Sequence, residues 1–164
     1  MDGNLSLSPR TAAAISILGL YFVCAPPSAQ SAELSSLAGA WAGAGTIALS
    51  DGSIERLRCR AAYRVDGSEK GLQQSLRCAS DSYKFDLSSD LVSQSGRISG
   101  TWSESSRGIS GSLEGRVGGG RITALVESAG FSANIRVTTV GQNQSVSIVS
   151  RGVIRQVSIS MVRR

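Results

Sequence analysis

Arg56, Arg58, Arg60 and Arg64 recur at even spacing in the stretch IERLRCRAAYRV. On an extended chain, residues two apart share a face, so these side chains would form a ladder of guanidinium forks. Planar, permanently charged forks suit phosphate and carboxylate groups. Lys70 and Lys84 are the only lysines among 17 basic residues, so the basic chemistry of this chain is arginine chemistry. Catalytic chemistry is harder to assemble. The chain has no histidine, which excludes a Ser-His-Asp triad, a Cys-His nucleophile pair and any His-ligated metal. A Ser-Lys dyad would have to use Lys70, in a turn, or Lys84, on an outward position, and neither is expected to be buried as such a dyad requires. Glu104, Glu114 and Glu127 lie near turns or beside arginines and read as surface charge, not as paired glycosidase carboxylates. Calcium-type Asp-x-Asp spacing is absent. No catalytic residue, metal ligand or cofactor is expected.

The chain of 164 residues carries a net charge of +5, with 41% hydrophobic and 18% charged residues. These values predict one globular domain. Its amino terminus has an address-like pattern. Arg10 precedes an apolar run over 12–25, followed by Pro26, Pro27 and the small residues Ser28, Ala29, Ser31 and Ala32. That order matches a secretory signal peptide, and the run is too short for a spanning helix. Residues 1–32 are therefore expected to be a leader, cleaved near Ser31 or Ala32, and 33–164 a single β-barrel domain in the periplasm or outside the cell. Cys24 lacks the small preceding residue that a lipoprotein site favours, since Tyr21-Phe22-Val23 stands there.

After Glu33, apolar residues alternate at period two, and Gly, Ser and Asp interrupt every helical window. Strands are expected at 40–49, 54–65, 72–79, 83–87, 97–103, 109–117, 121–127, 131–140, 145–150 and 153–162. Turn residues such as Asp51-Gly52, Asp66-Gly67 and Gly118-Gly119-Gly120 separate them. Links this short leave no room for crossover helices, so the fold is expected to be all-β, an antiparallel up-and-down meander of about eight to ten strands. Closure into a small barrel removes exposed edges, with a β-sandwich as the alternative. Leu57, Cys59, Ala61, Tyr63 and Val65 face inward opposite the arginine ladder. A turn over 66–71 places Cys59 directly across from Cys78, predicting a disulfide. Two reduced thiols are the alternative. Inward Gly43, Gly45, Gly100, Gly111, Gly115, Ala124 and Ala133 either leave a cavity or allow a flattened, tightly packed barrel.

Gly39-Ala40-Trp41 on the first strand, repeated as Gly100-Thr101-Trp102, resembles the Gly-x-Trp pattern of the calycin group of lipocalins, fatty-acid-binding proteins and avidins. That resemblance implies a barrel with Trp41 closing one end, packed against an arginine near the last strand, Arg163 or Arg164. The segments RCRAAYRV, LRCASDSYKFDL and GTWSESSRGISG also resemble small exported alphaproteobacterial proteins of unknown function. A fainter likeness is to small periplasmic β-barrel protease inhibitors, which pair an early tryptophan with one disulfide.

Two kinds of binding protein follow. In the first, a small apolar or amphipathic ligand is held inside near Trp41, Tyr63, Phe85 and Trp102, although the same rings could simply fill core. In the second, the barrel binds an exported protein, as a protease or lysozyme inhibitor does, from an exposed surface. Arg56, Arg58, Arg60 and Arg64 would suit an anionic partner unless Glu55, Asp66, Glu69 and Asp86 neutralise them. Nucleic acid is not expected, because no aromatic platform shares their face. Integral membrane insertion is not expected either, because lipid would touch the arginines.

Overall fold

The computed structural model describes residues 32–164. The expected leader, with Cys24 and the cleavage region at Ser31, lies outside them. A single helical turn, α1 (Ala32–Ser35), leads into β1 (Gly39–Leu49), β2 (Ile54–Val65), β3 (Gly71–Ala79), β4 (Lys84–Gln94) and β5 (Arg97–Glu104). The chain continues through β6 (Ile109–Gly118), β7 (Arg121–Ser128), β8 (Phe131–Val140), β9 (Asn143–Ser150) and β10 (Ile154–Arg163). Each strand pairs antiparallel with the next, and β10 returns to pair with β1. The meander is therefore a closed barrel and not a sandwich, and closure leaves no strand edge unpaired.

Period-two alternation decides which face of each strand is wet. On β2, Leu57, Cys59, Ala61 and Tyr63 are buried while Arg56, Arg58, Arg60 and Arg64 are exposed. The β2–β3 register pairs Val65 with Leu72 and Cys59 with Cys78, as the turn position predicts. The two cysteines form a disulfide, with their Cα atoms 4.2 Å apart. Asp66 organises that turn, its Oδ1 accepting from Ser68 N at 3.1 Å and Lys70 N at 3.2 Å.

One strand is longer than its sequence suggests. β4 continues past Leu87 to Gln94, because the serines that seem to end it find partners across the sheet. Ser89 faces the core and donates to Gln74 Oε1 at 2.8 Å, and Ser88 Oγ lies 2.9 Å from Ser103 Oγ. Satisfied hydroxyls cost far less to bury than free ones.

The inward side chains form one contiguous core that includes Leu34, Trp41, Ile47, Leu57, Leu76, Trp102, Leu113 and Met161. Inward glycines let the wall coil tightly around it. A Cβ on Gly43, Gly45, Gly100, Gly111 or Gly115 would overlap the backbone carbonyl oxygen of a neighbouring strand. These positions serve close approach of strands, and two of them mark dents in the outer wall. Gly45 lines one outward-opening hollow and Gly115 a second.

Candidate functional site at the open end of the barrel

The two ends of the barrel are built differently. One end gathers the start of β1 and the end of β10, and α1 folds across it with Leu34 and Leu37 buried. Trp41 is 1% exposed there, and its Nε1 donates to Leu37 O at 2.8 Å. The Arg163 guanidinium lies over the indole, 4.6 Å from its centroid, and donates to Ala38 O and Ser36 O at 2.6 and 2.5 Å. Tyr63 closes the same end. Its hydroxyl donates to Gln144 Oε1 at 3.0 Å, and Gln144 Nε2 donates to Thr139 Oγ1 at 3.2 Å. Burial pushes the Tyr63 phenol well above the usual tyrosine range, outweighing that hydrogen bond.

Among the described residues, no helix lies across the opposite end. Here the core meets water through half-buried Leu49, Tyr83, Phe85, Leu87, Phe131, Ile148 and Ile154. Trp102 lies beneath them, its ring 5.8 Å from that of Phe131 and tilted against it. The indole Nε1 points into the wall, donating to Ser112 O at 3.1 Å and Glu127 O at 3.3 Å. Gly111 makes room for that ring, since a Cβ there would sit 3.0 Å from Nε1 and overlap the Glu127 carbonyl oxygen. Tyr83 and Phe85 stack in parallel, with centroids 6.1 Å apart.

A charged pair borders the aromatics. Glu104, read from sequence as surface charge, is 3% exposed at the end of β5. It accepts from Asp86 N and Ser106 N, each at 3.0 Å, and pairs with Arg107 at 3.3 Å. Burial alone would raise its pKa. The Asp86 N–H, the Ser106 hydroxyl and N–H, and Arg107 outweigh that and hold the carboxyl below its ordinary range. Arg107 also reaches Lys84 O at 3.3 Å and covers Phe85 at 4.9 Å from the ring centroid. The carboxylate thus locks the β5–β6 loop, and with its acceptor sites occupied it is poorly placed to move protons.

Of the four aromatics expected to line a ligand site, Phe85 and Trp102 lie at the open end, and Trp41 and Tyr63 at the closed one. Tyr83, Phe131 and the Glu104–Arg107 pair complete the open end. Alternation marks the rings as inward, and the alternating strand directions of the meander put the start of β1 and the end of β2 at one end, the start of β4 and the end of β5 at the other. The four acids near the arginine ladder are committed elsewhere. Glu55 accepts from Ser82 N, Asp66 from its own turn, Glu69 from Ser35 Oγ, and Asp86 pairs with Arg77 at 3.1 Å. Among the described residues, Arg56, Arg58, Arg60 and Arg64 have no acidic partner.

The described residues form a closed antiparallel barrel with Trp41 packed against Arg163 at one end, the arrangement that the Gly-x-Trp resemblance implies. Solved structures agree in fold. The chain is similar to the crystal structure of Rv2717c from M. tuberculosis, at TM-score 0.62 and 18% identity, covering 80% of this chain and 94% of that one. It is also similar to the S-type phycobiliprotein lyase CPES from Guillardia theta, at TM-score 0.55 and 12% identity, covering 80% and 90%. No protein-family model and no curated protein matches the sequence. Among the described residues, no helix is long and apolar enough to cross a membrane.

Proposed function

We propose that this protein is an exported, non-catalytic binding protein whose contact site is the open end of the barrel. The observation that carries this reading is the asymmetry of the ends. One is sealed by α1, Trp41 and Arg163, while the other leaves Tyr83, Phe85, Phe131 and Ile154 half-exposed above Trp102. A small apolar or amphipathic molecule, lying on the stacked Tyr83 and Phe85 rings, is the ligand class this surface suits. It would sit at the mouth, above the buried Trp102. The phycobiliprotein lyase likeness is compatible with a ligand-handling barrel. A disulfide is the usual mark of an oxidising compartment, which supports a periplasmic or secreted location.

A second reading is a protein partner, such as a protease or lysozyme to be inhibited. Ile54 and Val153 favour it, being 69% and 64% exposed at that same end. The β1–β2 turn that leads into Ile54 and the β9–β10 loop that carries Val153 are joined by Ser50 N donating to Val153 O at 2.8 Å.

Native mass spectrometry of exported protein, beside its denatured mass, tests the first reading. An extra mass lost on denaturation supports a carried ligand. Fluorescence then locates it: ligand release should change Trp102 emission in Trp41→Phe protein and leave Trp41 emission unchanged in Trp102→Phe protein. A response confined to Trp41 would place contact at the sealed end and sink the proposal. No adduct, with a partner that binds wild-type protein but not Ile54→Ser/Val153→Ser protein, would favour the second reading.

A further inference from the structure

Barrel closure brings the arginine ladder into line with residues far away in sequence. Arg56 is paired with Thr46, Thr46 with Ser158, and Ser158 with Ser147. The same row then passes from Ser147 to Arg136, Thr123, Arg116 and Arg97. Each is exposed or half-buried and outward-facing. The adjacent row starts at Arg58, crosses Ala44, Ser160, Ser145 and Thr138, and ends at Arg121. Neither row contains an acid, and among the described residues none of their six arginines has an ion-pair partner. Glu114, in the row on the other side, is the acid that shares a hollow with Arg116.

The wall is recessed along this belt. A hollow of about 280 Å³ has Ala44, Thr46, Ser147, Ser158 and Ser160 in its lining and Arg136 at its side. A second, of about 430 Å³, continues from Arg136 past Thr123 to Arg116. By register, Arg56 and Arg58 stand beside the first hollow, directly across from Thr46 and Ala44. The belt is thus a shallow trough, floored by hydroxyls and small side chains in the first hollow and also by Leu125, Ile135 and Val149 in the second, with arginine forks at both ends and in the middle.

We propose that this trough binds an extended acidic polysaccharide. Guanidinium forks take carboxylates bidentately, and the serine and threonine floor can exchange hydrogen bonds with sugar hydroxyls. Bilayers and single-stranded nucleic acid suit the trough less well. At about 4.8 Å per strand, the first row runs roughly 34 Å around the curved wall, so a flexible chain can follow it and a flat bilayer cannot. Aromatic rings face inward on every described strand that carries one, so unstacked bases would find no platform. The site is separate from the mouth and does not depend on its reading.

Alginate binding, followed by titration calorimetry on the full exported protein at low and at physiological ionic strength, tests this. Uncharged dextran, a thymidine homopolymer and phosphatidylglycerol vesicles are the comparison ligands. The Arg56→Ser/Arg116→Ser/Arg136→Ser protein should bind alginate about tenfold or more weakly, because it loses three charge-assisted forks. Arg151→Ser/Arg155→Ser/Arg164→Ser protein, with the same net charge but both rows intact, should stay within about twofold of wild type. The single variant Arg136→Glu, which needs no fold-wide change, should also weaken binding. No alginate binding, equal loss in both triple variants, or equal or tighter binding of thymidine polymer or vesicles would each overturn the proposal.

Discussion

Arg163 closes the barrel by lying across Trp41, its guanidinium 4.6 Å from the indole centroid while its N–H groups hold the carbonyls of Ser36 and Ala38. One side chain from the last strand thereby ties down both the first strand and the segment that leads into it. Replacing Arg163 with Ala removes a cation–π contact and two charge-assisted hydrogen bonds, an expected loss of about 2–4 kcal/mol. Arg163→Lys should recover only part of this, because an ammonium lacks the planar fork. Urea unfolding of the three proteins checks both statements.

The Cys59–Cys78 bridge spans a sequence separation of 19 residues. Cross-linking a loop of that size restricts the unfolded chain by about 3 kcal/mol. The Cys59→Ala/Cys78→Ala protein should unfold at correspondingly lower urea with the barrel intact by circular dichroism. A loss near zero would mean that the β2–β3 turn already holds the pair together in the unfolded chain.

Glu104 makes stability acid-sensitive. Its carboxyl pKa is lower in the fold than the ordinary 4.5. Its contribution is therefore complete above that value and is lost as pH falls through the folded-state pKa. Glu104→Gln should cost about 1–3 kcal/mol at neutral pH and flatten part of the acid limb of a stability–pH profile. The remainder belongs to Asp51, Glu55 and Asp66, held low first by the hydroxyls of Ser53, Ser80 and Ser68.

Tyr63 acts at the other extreme. Its folded-state pKa is raised above 10.0, so its contribution is complete below that value and is lost as pH rises toward the folded-state pKa. Tyr63→Phe should be about 1 kcal/mol less stable at neutral pH, since Gln144 loses a donor. Above pH ~10 the gap should narrow or reverse, because Phe has no proton to lose. Parallel curves for the two proteins across that range would contradict the buried-phenol account.

Gly111→Ala should cost about 1–3 kcal/mol, because a methyl group there meets the Glu127 carbonyl oxygen and the Trp102 ring. Trp102 emission should shift as the indole is displaced, while Trp41 emission stays fixed. Chemical denaturation and fluorescence of single-tryptophan proteins read both effects.

Much of this fold is legible along the chain because it is local. Alternation separates Leu57, Cys59 and Tyr63 from their arginine neighbours, and Asp66 with its turn sets the Cys59–Cys78 register. What reads poorly is polar residues that need distant partners. Ser88 and Ser89 look like a strand end, and become strand interior through Ser103 and Gln74. Glu104 looks solvated, and is buried because Asp86 N and Arg107 satisfy it.

The sequence by itself determined the strand periodicity, the inward aromatics, the cysteine pair and the arginine ladder, since each depends on residues close together in the chain. Tertiary structure alone decided that Arg56 shares a row with Arg136, Arg116 and Arg97, and that Glu104 is buried beside Arg107. The row depends on the stagger with which β10 meets β1. Stagger is a property of the closed barrel as a whole, set by how its glycine-coiled strands pack around one core.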